Sequence, residues 1–158
     1  MNLKENSLEK SKMIANEIKN SLEEKNIFHL RDIIYDTNEV TLANIFEQYF
    51  DIKEILFMFK VIKKEKSSEI FAYLPQNMKQ QVINGLQDHE IKVMLDYMFT
   101  DDISEFLEEL PANIVKRVLN SASNQRRSEI NMILNFKEND YVDLNLYNGI
   151  FYQCFLYI

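Results

Sequence analysis

The chain has 158 residues, which is long enough for one domain with a hydrophobic core and short for two. Apolar residues make up 46% and charged residues 27%, and this balance excludes wholesale disorder. The net charge of −7 argues against a protein that binds the phosphate backbone of nucleic acid. A short basic cluster is more typical of a solvated helix face than of a binding patch; it consists of Lys60, Lys63, Lys64 and Lys66.

Apolar residues recur with helical spacing along almost the whole chain. A loose stripe predicts a first helix between about Ser7 and Glu24, and further stripes follow between residues 42 and 134. Together they predict about eight or nine helices of roughly 8 to 16 residues. An all-β fold needs many tight turns, and the chain has only two glycines and two prolines to make them.

Proline and small polar residues mark the expected helix boundaries. Pro75 and Pro111 each follow a leucine that ends a stripe, and each predicts a helix start, because proline is tolerated in the first turn of a helix. A residue with a side-chain oxygen just before an apolar stripe is a predicted N-cap. An asparagine just after a stripe predicts a helix end, because asparagine tolerates the left-handed conformation that glycine often adopts there. The predicted N-caps are Asp51, Asp88 and Ser123, and the predicted helix ends are Asn26, Asn84 and Asn120.

The chain contains an internal repeat. Residues 68–77 and 104–113 align at an offset of 36 residues, with Ser, Glu, Leu, Pro and Asn in common. A period of this length that carries two helices is typical of a solenoid, whose units bury their apolar faces only by stacking. We therefore predict an all-α, armadillo- or HEAT-like fold whose core contains Ile70, Leu74, Val82, Phe106, Leu110 and Val118.

The last part of the chain differs in composition. From Tyr141 onward six residues are aromatic, and Asp143 carries the only charge. This segment either packs on the end of the solenoid or belongs to a second domain. We expect a helical domain over residues 1–138 and an atypical apolar tail over residues 139–158, in which Cys154 is an inert thiol.

The acidic run from Thr100 to Pro111 is the stretch most suggestive of chemistry. Asp101 and Glu105 are four residues apart and therefore share one face of a predicted helix. Their oxygens would supply part of a magnesium site, because this ion prefers six oxygen ligands and keeps several waters. Asp102 with Glu105 fits a capping box instead, and residue chemistry alone favours capping over metal binding.

This run and the repeat together resemble the N-terminal cytoplasmic domain of MgtE-type magnesium transporters. The resemblance rests on residues 67–74, on residues 98–111 with their paired aspartates and Leu-Pro ending, and on residues 123–136. Glu138 shortly after completes it. The resemblance covers roughly residues 30–138, and the Asp-Asp and Leu-Pro pattern inside a 36-residue helical repeat makes it fairly specific.

The resemblance implies a right-handed superhelix on the cytoplasmic side of a dimeric transporter. It also implies a magnesium sensor, in which Mg²⁺ bridges acidic residues of this domain to those of a CBS pair and closes the channel. The family's acidic positions fall on Asp101, Glu105 and Glu69, and Glu105 stands where the family shows Asp. The implied partners are a CBS domain of the same transporter type and, for the full-length relative, a second copy. Nucleic acid and direct membrane insertion are not expected.

Departures from the family keep an alternative open. After Glu138 the chain lacks the small-residue segment that leads to the CBS pair, and it contains neither that pair nor membrane helices. We therefore expect an excised, truncated or stand-alone cytoplasmic relative. Flagellar motor-switch proteins share a related helical architecture, so a metal-independent protein-interaction module is the second hypothesis. His29 and His89 have no metal-spaced partner, and no catalytic constellation is recognised, so an enzyme is not expected.

Overall fold

The protein is described here by a computed structural model that covers residues 3–108 and 110–140, with side chains for residues 7–108 and 110–134. Over this part of the chain there are ten α-helices and no strand, which confirms the all-α prediction. The helices are α1 (Leu3–Glu23), α2 (Ile27–Asp36), α3 (Glu39–Tyr49), α4 (Ile52–Val61), α5 (Lys64–Tyr73), α6 (Gln76–Gly85), α7 (Asp88–Tyr97), α8 (Thr100–Glu108), α9 (Ala112–Ser121) and α10 (Asn124–Asp140).

Two compact units divide the chain, Met1–Gly85 and Leu86–Ile158. In the first unit α1 packs against α2 and α3, α3 packs against α5, and α4 packs against α6. In the second unit α7 packs against α9 and α8 packs against α10. Most helices therefore pack on the helix after next, which is the stacking expected of a helical solenoid.

The six predicted core residues are all buried, which confirms the core. They form pairs at an offset of 36 residues: Ile70 matches Phe106, Leu74 matches Leu110, and Val82 matches Val118. Burying an apolar side chain of this size contributes about 1.5–3 kcal/mol to the stability of the fold. The same three buried positions therefore stabilise each copy of the repeat. The serine that begins each copy, Ser68 or Ser104, is buried as well, and its hydroxyl donates to a backbone carbonyl of its own helix.

The spacing between successive helix starts is shorter than the sequence suggested. From α4 to α10 the first residues are 52, 64, 76, 88, 100, 112 and 124, so each helix begins 12 residues after the one before. Three helices thus fill one 36-residue period, and the prediction of two helices per period is wrong. The reason is that links of two residues leave room for three helices of about ten residues each. The expected number and length range are also wrong, since the described residues form ten helices and α1 alone has 21 residues.

Helix starts agree with most of the predicted signals. Pro75 and Pro111 each accept two hydrogen bonds through their carbonyl oxygens from the first turn of the following helix. Asp51 caps α4 and forms a capping box with Glu54. The Ser123 hydroxyl accepts from a backbone N–H in the first turn of α10 at 3.2 Å. Each of these interactions satisfies N–H groups that a helix leaves without an internal partner.

One predicted N-cap is wrong, whereas the three predicted helix ends fall within one to three residues of where α1, α6 and α9 end. Asp88 is the first residue of α7 and not its N-cap, because Gln87 takes that position. Asn26 follows the end of α1, where its N–H donates to the Ser21 carbonyl at 2.9 Å, and its side chain caps α2 by accepting from the His29 N–H. Asn84 and Asn120 lie within the last turns of α6 and α9. Among the described non-glycine residues only Lys25 has a positive φ, so left-handed asparagine caps are not how these helices end.

Cationic side chains cap the helix ends instead. The last carbonyls of a helix lack internal partners and attract positive charge. Lys64 donates to the Phe59 carbonyl at 2.7 Å, and Lys66 donates to the Thr37 carbonyl at 3.0 Å and to the Glu39 carboxylate. Half of the basic cluster is therefore engaged in capping.

The same arrangement recurs with arginine. Three arginines supply donors to helix ends: Arg31 to the carbonyl of Val61, Arg117 to that of Leu86, and Arg127 to that of Leu119. A fourth, Arg126, reaches the end of α7. Because a cation from another part of the chain satisfies these carbonyls, the helices can end without glycine.

Gly85, the last residue of α6, does not adopt the left-handed conformation and serves close approach instead. A Cβ atom on Gly85 would lie 2.3 Å from Cδ1 of Leu56, so the missing side chain is what lets the end of α6 approach α4.

Candidate functional site

The predicted acidic residues of the second unit lie on the solvent side of α8. The apolar spacing of this helix buries one face, formed by Ile103, Phe106 and Leu107. The opposite side exposes Asp101, Glu105 and Glu108, which are spaced by four and three residues and therefore share one face. We call these three residues the acidic face. The structure thus places Asp101 and Glu105 together, as the sequence predicted.

A capping box does not explain these acids. The Phe99 carbonyl accepts from the Ile103 N–H at 3.2 Å, so Phe99 occupies the N-cap position of α8. Asp102 is the third residue of the helix and cannot cap it with Glu105, so that hypothesis is wrong. Asp101 and Asp102 still lie in the first turn, where the helix dipole favours negative charge. Glu105 lies one turn further on and gains less from the dipole.

The charge of α8 distinguishes it from its repeat equivalent. The sequence of α8 contains four acids and no base, whereas α5 contains two lysines and two glutamates. Glu69, the equivalent of Glu105, is also exposed, but it belongs to the first unit and lies on this balanced helix. A bound cation is stabilised more by several neighbouring acids than by one acid on a helix whose charges balance. The acidic face is therefore a stronger candidate for cation binding than Glu69.

The predicted pair on the acidic face would supply only part of a magnesium site. Asp101 and Glu105 offer at most four oxygens, whereas Mg²⁺ takes six ligands and keeps several waters. Among the described residues, no group of three or more His, Cys, Asp or Glu side chains is arranged to hold a metal ion. Asp101 and Glu105 can therefore contribute only part of a coordination shell, which water or a partner must complete.

The sequence analysis missed an exposed aromatic pair beside the acidic face. Phe99 in the α7–α8 link is 76% exposed, and Tyr97 at the end of α7 is 49% exposed. Neither residue belongs to an apolar stripe, so periodicity gave them no role. The 12-residue spacing of the helix starts could have identified Phe99, because it places this residue at an N-cap position, where a polar residue or proline is usual.

The comparisons with known proteins bear on this region. The MgtE intracellular N domain family matches residues 37–139, which is more than half of the chain. The matched segment includes all three predicted metal-binding positions, while α1 and α2 precede it. No curated protein matches the chain. None of the described helices has the length and apolar composition needed to cross a membrane.

Proposed function

Because the chain belongs to the MgtE intracellular N domain family, we propose that it is the magnesium-sensing domain of an MgtE-type transporter. In this proposal it works at the cytoplasmic side of a dimeric transporter. Mg²⁺ bridges its acidic face to an acidic surface of a CBS domain, and the bridged arrangement closes the channel. The observation that carries the proposal is the exposed acidic face of α8, a helix within the family match whose charged residues are all acids. No enzymatic reaction is proposed.

Electrostatics supplies the switching force. Two acidic surfaces repel one another when no cation lies between them, and a divalent ion shared across the gap turns repulsion into attraction. Asp101 and Glu105 are spaced to offer oxygens to one such ion on the solvent side of α8. Waters remain on the ion, since Mg²⁺ loses its hydration reluctantly.

More than one ion is needed for a complete switch. A ligand shifts a conformational equilibrium only by the difference in its affinity for the two states. Moving from mostly open to mostly closed takes about 5.5 kcal/mol, which exceeds what one hydrated, exposed site supplies. We therefore propose several bridging ions, with Asp101 and Glu105 at one and Glu69 at another. The isolated chain offers half of each site and should bind Mg²⁺ weakly.

A titration with a CBS partner tests the proposal. The chain and a separately expressed CBS pair from an MgtE-type transporter are mixed in a chelator and then titrated with MgCl₂. Association that rises with Mg²⁺, and that weakens in the double variant D101N/E105Q, is expected. E47Q is the matched control, because Glu47 is an exposed acid on α3 outside the acidic face.

Two outcomes count against the proposal. An unchanged Mg²⁺ response in D101N/E105Q would show that the acidic face is not a ligand surface. Association that is equally strong in the chelator would favour the second hypothesis, a metal-independent interaction module.

A further inference from the structure

Phe99 breaks a pattern that the other helix starts follow. The residues immediately before α2 to α10 are polar or proline at every position but this one: Asn26, Asn38, Asp51, Lys63, Pro75, Gln87, Phe99, Pro111 and Ser123. Phenylalanine has no side-chain oxygen to accept from the first-turn N–H groups, and its ring is 76% exposed. The chain therefore carries both a missing cap and a bare aromatic ring at one position.

Charged and aromatic residues flank this position along the chain. Tyr97 is half exposed, and the acids Asp96 and Asp101 are exposed on either side of the link. We call Asp96, Tyr97, Phe99 and Asp101 the aromatic corner. Lys92 lies one turn before Asp96 on α7.

A second cation near the corner, Arg126, already has hydrogen-bond partners within the chain. Arg126 is 14% exposed, and its guanidinium bonds to the Leu95 and Met98 carbonyls, to Thr100 and to Glu129. Neither Asp96 nor Asp101 forms an ion pair with the residues that the structure describes, so these two acids outweigh the single exposed Lys92 and leave this stretch with a net negative charge.

Two other aromatic rings of the described residues have a lysine over one face. Lys63, the repeat equivalent of Phe99, lies 5.6 Å from the ring centre of Tyr35, and Lys19 lies 5.6 Å from that of Phe50. A ring face attracts a cation within about 6 Å, and a nearby carboxylate adds a separate Coulomb attraction for the same cation. Phe99 has no such contact, nor any ring–ring contact, with the residues that the structure describes.

We propose that the aromatic corner is a docking surface for a segment of a partner protein that presents Lys or Arg side chains. The partner's cations lie over the faces of Phe99 and Tyr97 and pair with Asp96 and Asp101, while their alkyl stems cover the rings. Charge complementarity favours this occupant. An acidic segment would be repelled by the carboxylates of the corner, and a purely apolar segment would leave them without a partner. The surface uses ring faces that magnesium sensing does not need.

A peptide pair provides the probe. The first is a fluorescein-labelled dodecapeptide of alternating Arg and Leu, and the second has citrulline in place of every Arg, which keeps the shape and removes the charge. Fluorescence anisotropy measures the affinity of both for the intact chain. F99S should weaken binding of the Arg peptide by about tenfold, and F99Y, which keeps a ring, should retain it.

Controls separate this surface from general acidity. F28S is the matched control, because Phe28 is 81% exposed on α2 and lies outside the corner, and it should bind the Arg peptide like the unmodified chain. D101N should weaken binding and flatten its salt dependence. Circular dichroism of F99S checks that the fold persists.

The outcomes are decisive in both directions. Equal affinity of F99S and the unmodified chain, or equal binding of the citrulline peptide, would overturn the proposal. Loss of binding in F28S as large as in F99S would do the same. F99S leaves the carboxylates of the acidic face in place, so its Mg²⁺ response should be retained. The docking surface and the magnesium sensor can therefore fail separately.

Discussion

Arg126 is the side chain whose removal should most clearly test the cationic capping of helix ends. It lies at the start of α10 and donates from Nε to the Leu95 carbonyl at 2.9 Å and from Nη2 to the Met98 carbonyl. Nη1 donates to the Thr100 hydroxyl and to the Glu129 carboxylate. One guanidinium thus ties α10 to the end of α7 and the start of α8.

The expected cost of Arg126→Met follows from these contacts. Leu95 and Met98 are buried, but the Leu95 carbonyl still accepts from the Met98 N–H at 3.3 Å, so the Met98 carbonyl bears the main loss. An unsatisfied buried group costs about 1–3 kcal/mol, and because the arginine side chain is 14% exposed we expect the lower half of that range. The Glu129 pair adds little, as surface ion pairs do. The expected loss is therefore about 1–2 kcal/mol, or about 2–8 °C in the unfolding midpoint.

Urea and thermal unfolding followed by circular dichroism measure the loss, and amide hydrogen exchange in the last turn of α7 localises it. Arg126→Lys keeps the charge and one donor direction, so it should recover part of the stability. Lys92→Met is the control for removing an exposed charge and should stay within about 0.5 kcal/mol of the unmodified chain. If Arg126→Met is no worse than Lys92→Met, cationic capping does not hold these helices.

Three further predictions concern single positions. Phe99→Ser should raise stability by about 1 kcal/mol, because serine supplies the missing N-cap acceptor; a lower thermal midpoint would contradict this. Glu105→Gln should raise stability by about 0.2–0.5 kcal/mol by removing its like-charge pair with Asp101, whereas Glu69→Gln on the balanced α5 should not, and chemical denaturation compares the two. The hydrogen bond from Lys66 holds the pKa of Glu39 below its ordinary value of 4.5, so the stability it contributes is present above that pH and is lost as the pH falls through the lower folded value. Thermal midpoints measured across this range should fall more steeply for the unmodified chain than for Glu39→Gln, and parallel curves would refute the linkage.

Much of the fold follows from local patterns in the sequence. Apolar periodicity identifies the buried residues, since a helix of ten residues has to present one face to its neighbours. Pro75 and Pro111 fix helix starts because the lack of an N–H and the fixed φ of proline are local properties. The face shared by Asp101 and Glu105 follows from helical spacing alone. The predicted division into residues 1–138 and a tail over residues 139–158 stays a prediction, because the tail from residue 141, including Cys154, lies outside the described part of the chain.

The remaining features depend on residues that are distant in sequence. The cations that cap helix ends come largely from about 30 residues away, as with Arg126 and Leu95, so no local rule identifies them. Asp102 became the third residue of α8 rather than its cap because the two-residue link placed Phe99 before the helix. The exposure of Phe99 was equally hidden, since an aromatic side chain is buried only when a neighbouring helix covers it. The sequence by itself determined which face of each helix is apolar, and tertiary packing decided how the helices end and which rings and charges face solvent, because both depend on groups brought together only by the folded chain.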